Sequence, residues 1–299
     1  MTISRRNFLK VAGMTGGALL TGGRKTAHAQ QTSEGGVEFN GMLIDTTKCI
    51  GCRACEEACN DANKLPKPEV SFSSESVFET KRDTTPDAFT VVNRFPNEKD
   101  PEKPIFVRRQ CMHCNQPACA SACLTKAMEK TREAAVIYNK GRCMGCRYCM
   151  IACPFDVPKF QYNSPTPFVR KCIFCNERQM RGEQPACSEA CPTGATLFGK
   201  KRDLLEIARS RIYNEPDKYI HHIYGEHEVG GTGWLFLYGA PAETLGLKTN
   251  LETTPYPELT SGFLYGVPLV FVLWPSLLIG LNYLIKDSEE KETSHGEQD

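Results

Sequence analysis

Sixteen cysteines stand in four groups of four, with none left over. Cys49, Cys52, Cys55 and Cys59 are spaced C-x2-C-x2-C-x3-C, and Cys143, Cys146, Cys149 and Cys153 repeat that spacing and are followed by Pro154. In Cys111, Cys114, Cys119 and Cys123 one step opens to four intervening residues; in Cys172, Cys175, Cys187 and Cys191, followed by Pro192, the same step opens to eleven. A cuboidal iron–sulfur core needs one thiolate at each of its four iron corners, and three cysteines at steps of three residues let one tight loop wrap three of them. The fourth thiolate comes from elsewhere. Where two such runs lie side by side, the fourth cysteine of each serves the other run's cluster, because a helix beginning within the run carries that side chain across. Only twenty residues separate Cys123 from Cys143, so the second and third groups read as one pair. The first and fourth then form a second pair, with the middle pair inserted between them.

Other thiol chemistries fit less well. Cysteines three residues apart cluster too tightly for eight sensible disulfide bridges. Zinc sites favour pairs of C-x2-C hooks separated by longer loops, and a C-x2-C-x2-C triple is awkward for a tetrahedral ion. A radical enzyme shows one three-cysteine run that leaves an iron open, whereas every group here has its fourth ligand. The expectation is four [4Fe–4S] clusters, with a zinc-stabilised, non-redox membrane scaffold as the alternative of a different class.

Both ends of the chain carry an address. Arg5 and Arg6 open a basic stretch through Lys10, a weakly apolar segment follows to Leu20, and Ala27-His28-Ala29 is an A-x-A cleavage site, so residues 1–29 read as a twin-arginine signal peptide. Such export proceeds in the folded state, which lets a thiol-bound cofactor be installed in the reducing cytoplasm. At the other end 259–285 contains no charged residue, and 263–285 is long enough, at about 34 Å as a helix, to cross a bilayer core. Pro268 and Pro275 lie inside that span, where neighbouring helices can satisfy the freed carbonyls. The span holds no histidine or methionine, so it offers no usual axial ligand for a haem.

Elements that must position the thiols are short. The apolar runs 42–44, 105–107, 136–138 and 196–198 flank the cysteine groups and predict strands of small sheets. Residues 61–104, rich in proline, serine and charge, read as an insertion or surface loop. Leu204, Leu205, Ile207, Ala208 and Ile212 have helical spacing within 200–214, and 215–258 is punctuated by glycine and proline as a bridge to a membrane or partner.

Formal net charge is +1, which excludes a global basic field for nucleic acid. Residues 1–29 contribute Arg5, Arg6, Lys10, Arg24 and Lys25 and no acid; taking away those five positive charges leaves −4. At about −2 per cluster with its thiolates, four clusters lower this by about eight more. Arg108, Arg109, Arg142, Arg147, Lys159, Arg170 and Lys171 lie beside the cysteine groups, either to offset that charge or as solvated surface residues. His113, His221, His222 and His227 are expected as surface or loop residues. No nucleophile–base pair, carboxylate dyad or phosphate loop stands out, so the chain is expected to be a non-catalytic electron carrier.

The segments 45–52, 145–155 and 224–232, with the twin-arginine start and the single C-terminal span, resemble the four-cluster ferredoxin subunits of membrane-bound oxidoreductases. Among these the chain is most similar to the HybA-like iron–sulfur subunits of periplasmic hydrogenase-2 and of the high-molecular-weight cytochrome c complex. The resemblance implies an α+β fold: two ferredoxin-like two-cluster domains, one inserted in the other, plus one C-terminal transmembrane helix. It places the four-cluster region at 30–215, the inserted pair at 105–167 and the outer pair at 41–104 with 168–200. A membrane-proximal linker or interface follows at 216–258, then a transmembrane helix at 259–286 and a cytoplasmic tail at 287–299. Carried over by position, Cys49, Cys52, Cys55 and Cys191 hold one cluster and Cys172, Cys175, Cys187 and Cys59 another. Cys111, Cys114, Cys119 and Cys153 hold the third, and Cys143, Cys146, Cys149 and Cys123 the fourth. Cys59 and Cys123 depart from the pattern in being followed by Asn60 and Leu124 instead of proline. Some relatives replace a ligand in the third group and hold a three-iron cluster; Cys146 is present here. The implied role is electron relay between periplasmic hydrogenase subunits and an integral-membrane quinone- or cytochrome-linked partner, with the globular part on the periplasmic side of a bacterial inner membrane. A molybdopterin enzyme such as formate dehydrogenase is the alternative partner.

Overall fold

The computed structural model describes residues 38–295. The expected signal peptide and the last four residues of the tail lie outside them. Met42, Leu43 and Ile44 sit in strand β1 (Asn40–Asp45), buried from Gly41 onward. Because successive strand residues point to opposite faces, Met42 and Ile44 join one apolar cluster with Trp234, Phe236, Phe174 and several cysteines. Leu43 joins a second with Leu204, Ala208, Leu235 and Leu237. A run of apolar residues without alternation is what a strand covered on both faces requires.

The remaining strands are β2 (Thr90–Phe95), β3 (Ile105–Gln110), β4 (Met128–Lys130), β5 (Val136–Tyr138), β6 (Lys159–Phe160), β7 (Val169–Arg170), β8 (Thr196–Lys200) and β9 (Trp234–Leu237). One sheet has the order β8-β1-β9, with β8 antiparallel and β9 parallel to β1; the others are the antiparallel pairs β2-β3, β4-β5 and β6-β7. The four runs expected as strands are thus strands. Helices are α1 (Ala54–Ala62), α2 (Ala118–Ser121), α3 (Tyr148–Ile151), α4 (Asn176–Met180), α5 (Ala186–Glu189), α6 (Lys201–Asn214) and α7 (Tyr256–His295). The helical spacing read at 200–214 is α6, whose Leu204 and Ala208 are buried against β1 and β8.

Two expectations change. The stretch 61–104 is more than a surface loop: its β2 pairs with β3 over six residues, and Val91 and Val92 are buried, because a β-branched run packs well on a pleated, covered surface. Likewise 215–258 is not simply a bridge. Trp234–Leu237 is fully buried and extends the central sheet, with Trp234 and Phe236 turned to one core cluster and Leu235 and Leu237 to the other.

α7 contains Pro268 and Pro275, and Tyr256–Lys286 within it is long and apolar enough to cross a membrane, with mean hydropathy 2.0. Phe263, Phe271, Trp274 and Ile279 stand exposed along it. The helix begins three residues before the expected start at 259 and continues past 286 to His295. Its base is tied to the globular part where Gln116 donates to Glu258 Oε1 at 3.0 Å and where α2 touches α7.

Candidate metal centres

Each cysteine run is bent by the same backbone device. The second residue after the first cysteine has a left-handed conformation in all four: Gly51 (φ 72°), His113 (47°), Gly145 (77°) and Phe174 (58°). Such turns point successive amide N–H groups inward and form a concavity suited to negative charge. Gly51 is required twice over, since a Cβ there would also meet the Phe106 ring at 2.4 Å. The residue that follows the second cysteine is left-handed too in the repeated spacing, Arg53 (59°) and Arg147 (60°), and a helix starts directly after it. α1 therefore carries Cys55 and Cys59, α3 carries Cys149, α2 carries Cys119 and α5 carries Cys187.

All sixteen thiols are free, so the structure contains no disulfide framework. Among the described residues no three cysteine, histidine, aspartate or glutamate side chains converge as a single ion would require. Cys59, Cys172, Cys175 and Cys187 line one cavity, and Cys49, Cys52, Cys55 and Cys191 line a second.

Electrostatics couple thiols of different runs. Burial pushes Cys49 up, and Cys191 and Cys52 add to it. Burial, then Cys172, Cys187 and Cys175, push Cys59 well up. Burial, then Cys153, Cys111 and Cys119, do the same to Cys114, and burial with Cys123, Cys143 and Cys146 pushes Cys149 up to about 11. Four thiolates crowded in a desolvated nest repel one another, so each set favours a cationic core that lets all four ionise. The sets also touch in sequence. Besides burial, Cys187 acts on Cys55, Cys111 on Cys172, and Cys149 on Cys119.

Donors surround the sulfurs. Ala127 N–H donates to Cys123 Sγ at 3.2 Å, Gly145 N–H to Cys143 Sγ at 3.4 Å, Phe174 N–H to Cys172 Sγ at 3.4 Å and the Arg108 guanidinium to Cys187 Sγ at 3.2 Å. Thr90 Oγ1, Gln110 Nε2 and Trp234 Nε1 are buried without a partner, and all three residues line the cavity of Cys59, Cys172, Cys175 and Cys187. Sulfide and thiolate acceptors placed there would satisfy them, so the residues present fit an iron–sulfur cluster.

The basic residues divide. Arg109 and Lys159 pair with Asp83 at 2.6 and 2.9 Å, Arg170 with Asp87 at 3.0 Å and Arg142 with Glu129 at 3.5 Å, while Arg147 lies over the Phe160 and Tyr162 rings. Arg108 and Lys171 alone of the seven are buried beside thiols. His113 is a correction: it is completely buried, not a surface residue, and stacks on Phe174 at 4.9 Å while its Nδ1 accepts from Val136 N–H at 2.9 Å. Desolvation, with Lys171 and Lys130 nearby, holds it well below the usual imidazole range. His222 lies on the surface, with Nδ1 at 2.7 Å from Tyr238 Oη and Nε2 at 3.2 Å from Glu228. The glycine-rich stretch 224–232 braces a cysteine loop: Asn115 N–H donates to Gly231 O at 2.9 Å, and Gly233 N–H to Met112 O at 3.0 Å.

Two segments, 48–127 and 103–201, match models of a 4Fe-4S dicluster domain. A protein of Nitratidesulfovibrio vulgaris is 45% identical over 292 residues, covering 97% of this chain and 78% of its own. The hydrogenase-2 operon protein HybA of Escherichia coli O157:H7 is 34% identical over 331 aligned positions, 99% of both chains. The iron-sulfur subunit of the nitrate-inducible formate dehydrogenase of Escherichia coli K12 is 34% identical over 199 residues, 65% of this chain and 66% of its own.

Proposed function

This chain belongs to the family of the hydrogenase-2 operon protein HybA, iron–sulfur electron-transfer subunits with ferredoxin-type dicluster domains, and on that premise we propose which cysteines hold each of its four [4Fe–4S] clusters and how the sites are ordered. Cys49, Cys52, Cys55 and Cys191 form the first site; Cys59, Cys172, Cys175 and Cys187 the second. Cys111, Cys114, Cys119 and Cys153 form the third, and Cys123, Cys143, Cys146 and Cys149 the fourth. When bound, the clusters supply one-electron redox chemistry; the chain's part is to space them, exclude water and set their potentials through burial and N–H···S bonds.

The observation that carries the reading is the thiol neighbourhood. Two of the four sets line a common cavity each, and every set is interlinked by its own electrostatics. The links Cys55–Cys187, Cys172–Cys111 and Cys119–Cys149 support a linear order, first to fourth. Nesting of the inner pair within the outer is supported by β1 and β8, which bracket everything from 46 to 195 and pair antiparallel, and by the packing of α1 on α5 and of α2 on α3.

In this reading the subunit is non-catalytic. α7 anchors it, the globular part faces the periplasm, and electrons pass between nickel–iron hydrogenase subunits and an integral-membrane quinone- or cytochrome-linked partner. The match to HybA over 99% of both chains, against 65% of this chain for the formate dehydrogenase subunit, favours the hydrogenase partner. Anaerobic purification tests both levels. About sixteen iron and sixteen acid-labile sulfide per chain are expected, and Cys191→Ser should abolish one paramagnetic signal while leaving three. Colourless protein, or loss of all signals together in Cys191→Ser protein that is folded, refutes the assignment; molybdenum instead of nickel in the complex refutes the partner.

A further inference from the structure

Arg108 is 4% exposed, and among the described residues no carboxylate lies within ion-pair distance of it. Its guanidinium donates to Cys187 Sγ at 3.2 Å, Gln110 Oε1 at 3.3 Å and Thr196 Oγ1 at 3.4 Å, and lies 4.6 Å from the Trp234 ring centre. It lines both of the thiol cavities described above. A fully buried cation whose partners are thiols, hydroxyl, amide and ring has no local anion to neutralise it unless thiolate sulfur does so.

The second site also has idle donors, Thr90 Oγ1, Gln110 Nε2 and Trp234 Nε1, whose residues line the same cavity as its thiols. At the third site the nearby amines keep their charge but donate to backbone carbonyls, Lys130 to those of Cys114 and His113 and Lys171 to those of Val136 and Cys172, whereas Arg108 donates to a ligand sulfur directly. At the fourth, Cys146 is exposed and water screens the charge. Adding an electron makes a cluster more negative, so a buried cation and extra donors stabilise the reduced form and raise its potential.

Resting on the site assignment above, we propose that Arg108, with Thr90, Gln110 and Trp234, raises the potential of the Cys59/Cys172/Cys175/Cys187 site and so favours the electron's residence there, in the interior of the relay. The site gains one electron from its neighbour in the relay and no proton, since the guanidinium stays charged at any working pH.

The test is an anaerobic potentiometric titration of the full chain followed by paramagnetic resonance, with iron counted in every variant. Cys172→Ser identifies the second site's signal by its loss. In Arg108→Gln its reduced-to-oxidised ratio, at the wild-type midpoint, should fall at least tenfold, about 59 mV for a one-electron couple. Arg108→Lys should restore most of it, whereas a merely structural role would leave the ratio unmoved. Should Arg108→Gln lose iron, the double variant Thr90→Val/Trp234→Phe, which keeps the cation and the packing, decides: a fall of several-fold confined to this signal is expected, and an unchanged ratio overturns the proposal. Wild-type protein without four signals would overturn the site assignment itself.

Discussion

Glu56→Ala removes a carboxylate that is 5% exposed and sits between two proposed ligands of different sites, Cys55 and Cys59. Glu56 accepts from Arg53 at 3.1 Å, from both terminal nitrogens of Arg82 at 2.6 and 3.0 Å, and from Val92 N–H at 2.7 Å, which joins α1 to β2. Breaking a buried ion pair from one side costs about 3–5 kcal/mol. Arg53 keeps hydrogen bonds to the carbonyls of Ser71, Phe72 and Ser74, and Arg82 is partly solvated, so the lower end applies. About 3 kcal/mol raises the population of the opened α1 by about 10²-fold. Because α1 serves the first two sites and neither of the others, a chelator added anaerobically should bleach the variant in two phases. The fast phase should be about 10²-fold quicker than wild type and release about half of the roughly sixteen irons. Bleaching within about threefold of wild type, or release of all the iron in one fast phase, would refute the reasoning.

Gly51→Ala should lose the first cluster, because its φ of 72° is compounded by a Cβ 2.4 Å from Phe106; Gly145→Ala, at φ 77° with nothing within 4 Å, should keep all four and lose only about 1–2 kcal/mol. Iron per chain and thermal midpoints separate the two. Partial burial works against it, yet Lys159 and Arg109 hold the Asp83 carboxyl below its ordinary value of 3.8. A depressed carboxyl stabilises the fold above the unfolded pKa and loses that contribution as pH falls through the folded one. Asp83→Asn should therefore be less stable than wild type at neutral pH and converge with it below about pH 3.8; a constant difference between their unfolding midpoints at all pH values would contradict this. Removing residues 256–299 should release the globular part from membranes into the soluble fraction with its iron intact, read by fractionation and iron assay; retention on membranes would reject α7 as the anchor.

Much of the site was legible because thiol ligation fixes spacing in the chain itself. The intervals among Cys49, Cys52 and Cys55 are set by one loop's reach, so they survive in the sequence. Helices that start inside the runs carry Cys59 away from its own loop and end two residues before Cys153, which is the signal behind the proposed exchange of fourth ligands. The hidden parts depend on distant contacts. Trp234–Leu237 has no polar alternation because it is covered on both faces, and its partner β1 lies at the other end of the globular chain. Gly51 and Gly145 announce a left-handed turn, but His113 and Phe174 take the same conformation under the constraint of stacking on one another, which no local propensity reveals. Arg108 was one of seven basic neighbours in the sequence; its burial and its hydrogen bond to Cys187, which depend on distant contacts, single it out.

The pairing of β1 with β8 and the place of Cys191 beside Cys49 have a consequence for biosynthesis. A nascent chain that has emerged as far as Cys153 holds every proposed ligand of the third and fourth sites, yet it lacks a member of each of the other two. The nest opened earliest, at Cys49, is therefore among the last to be closed, and translation must run on to Leu237 before the strand that covers its sheet exists. On the proposed ligand sets, the two inner nests can therefore be filled while the outer two still await residues not yet made, and Cys191 is the last thiol to arrive.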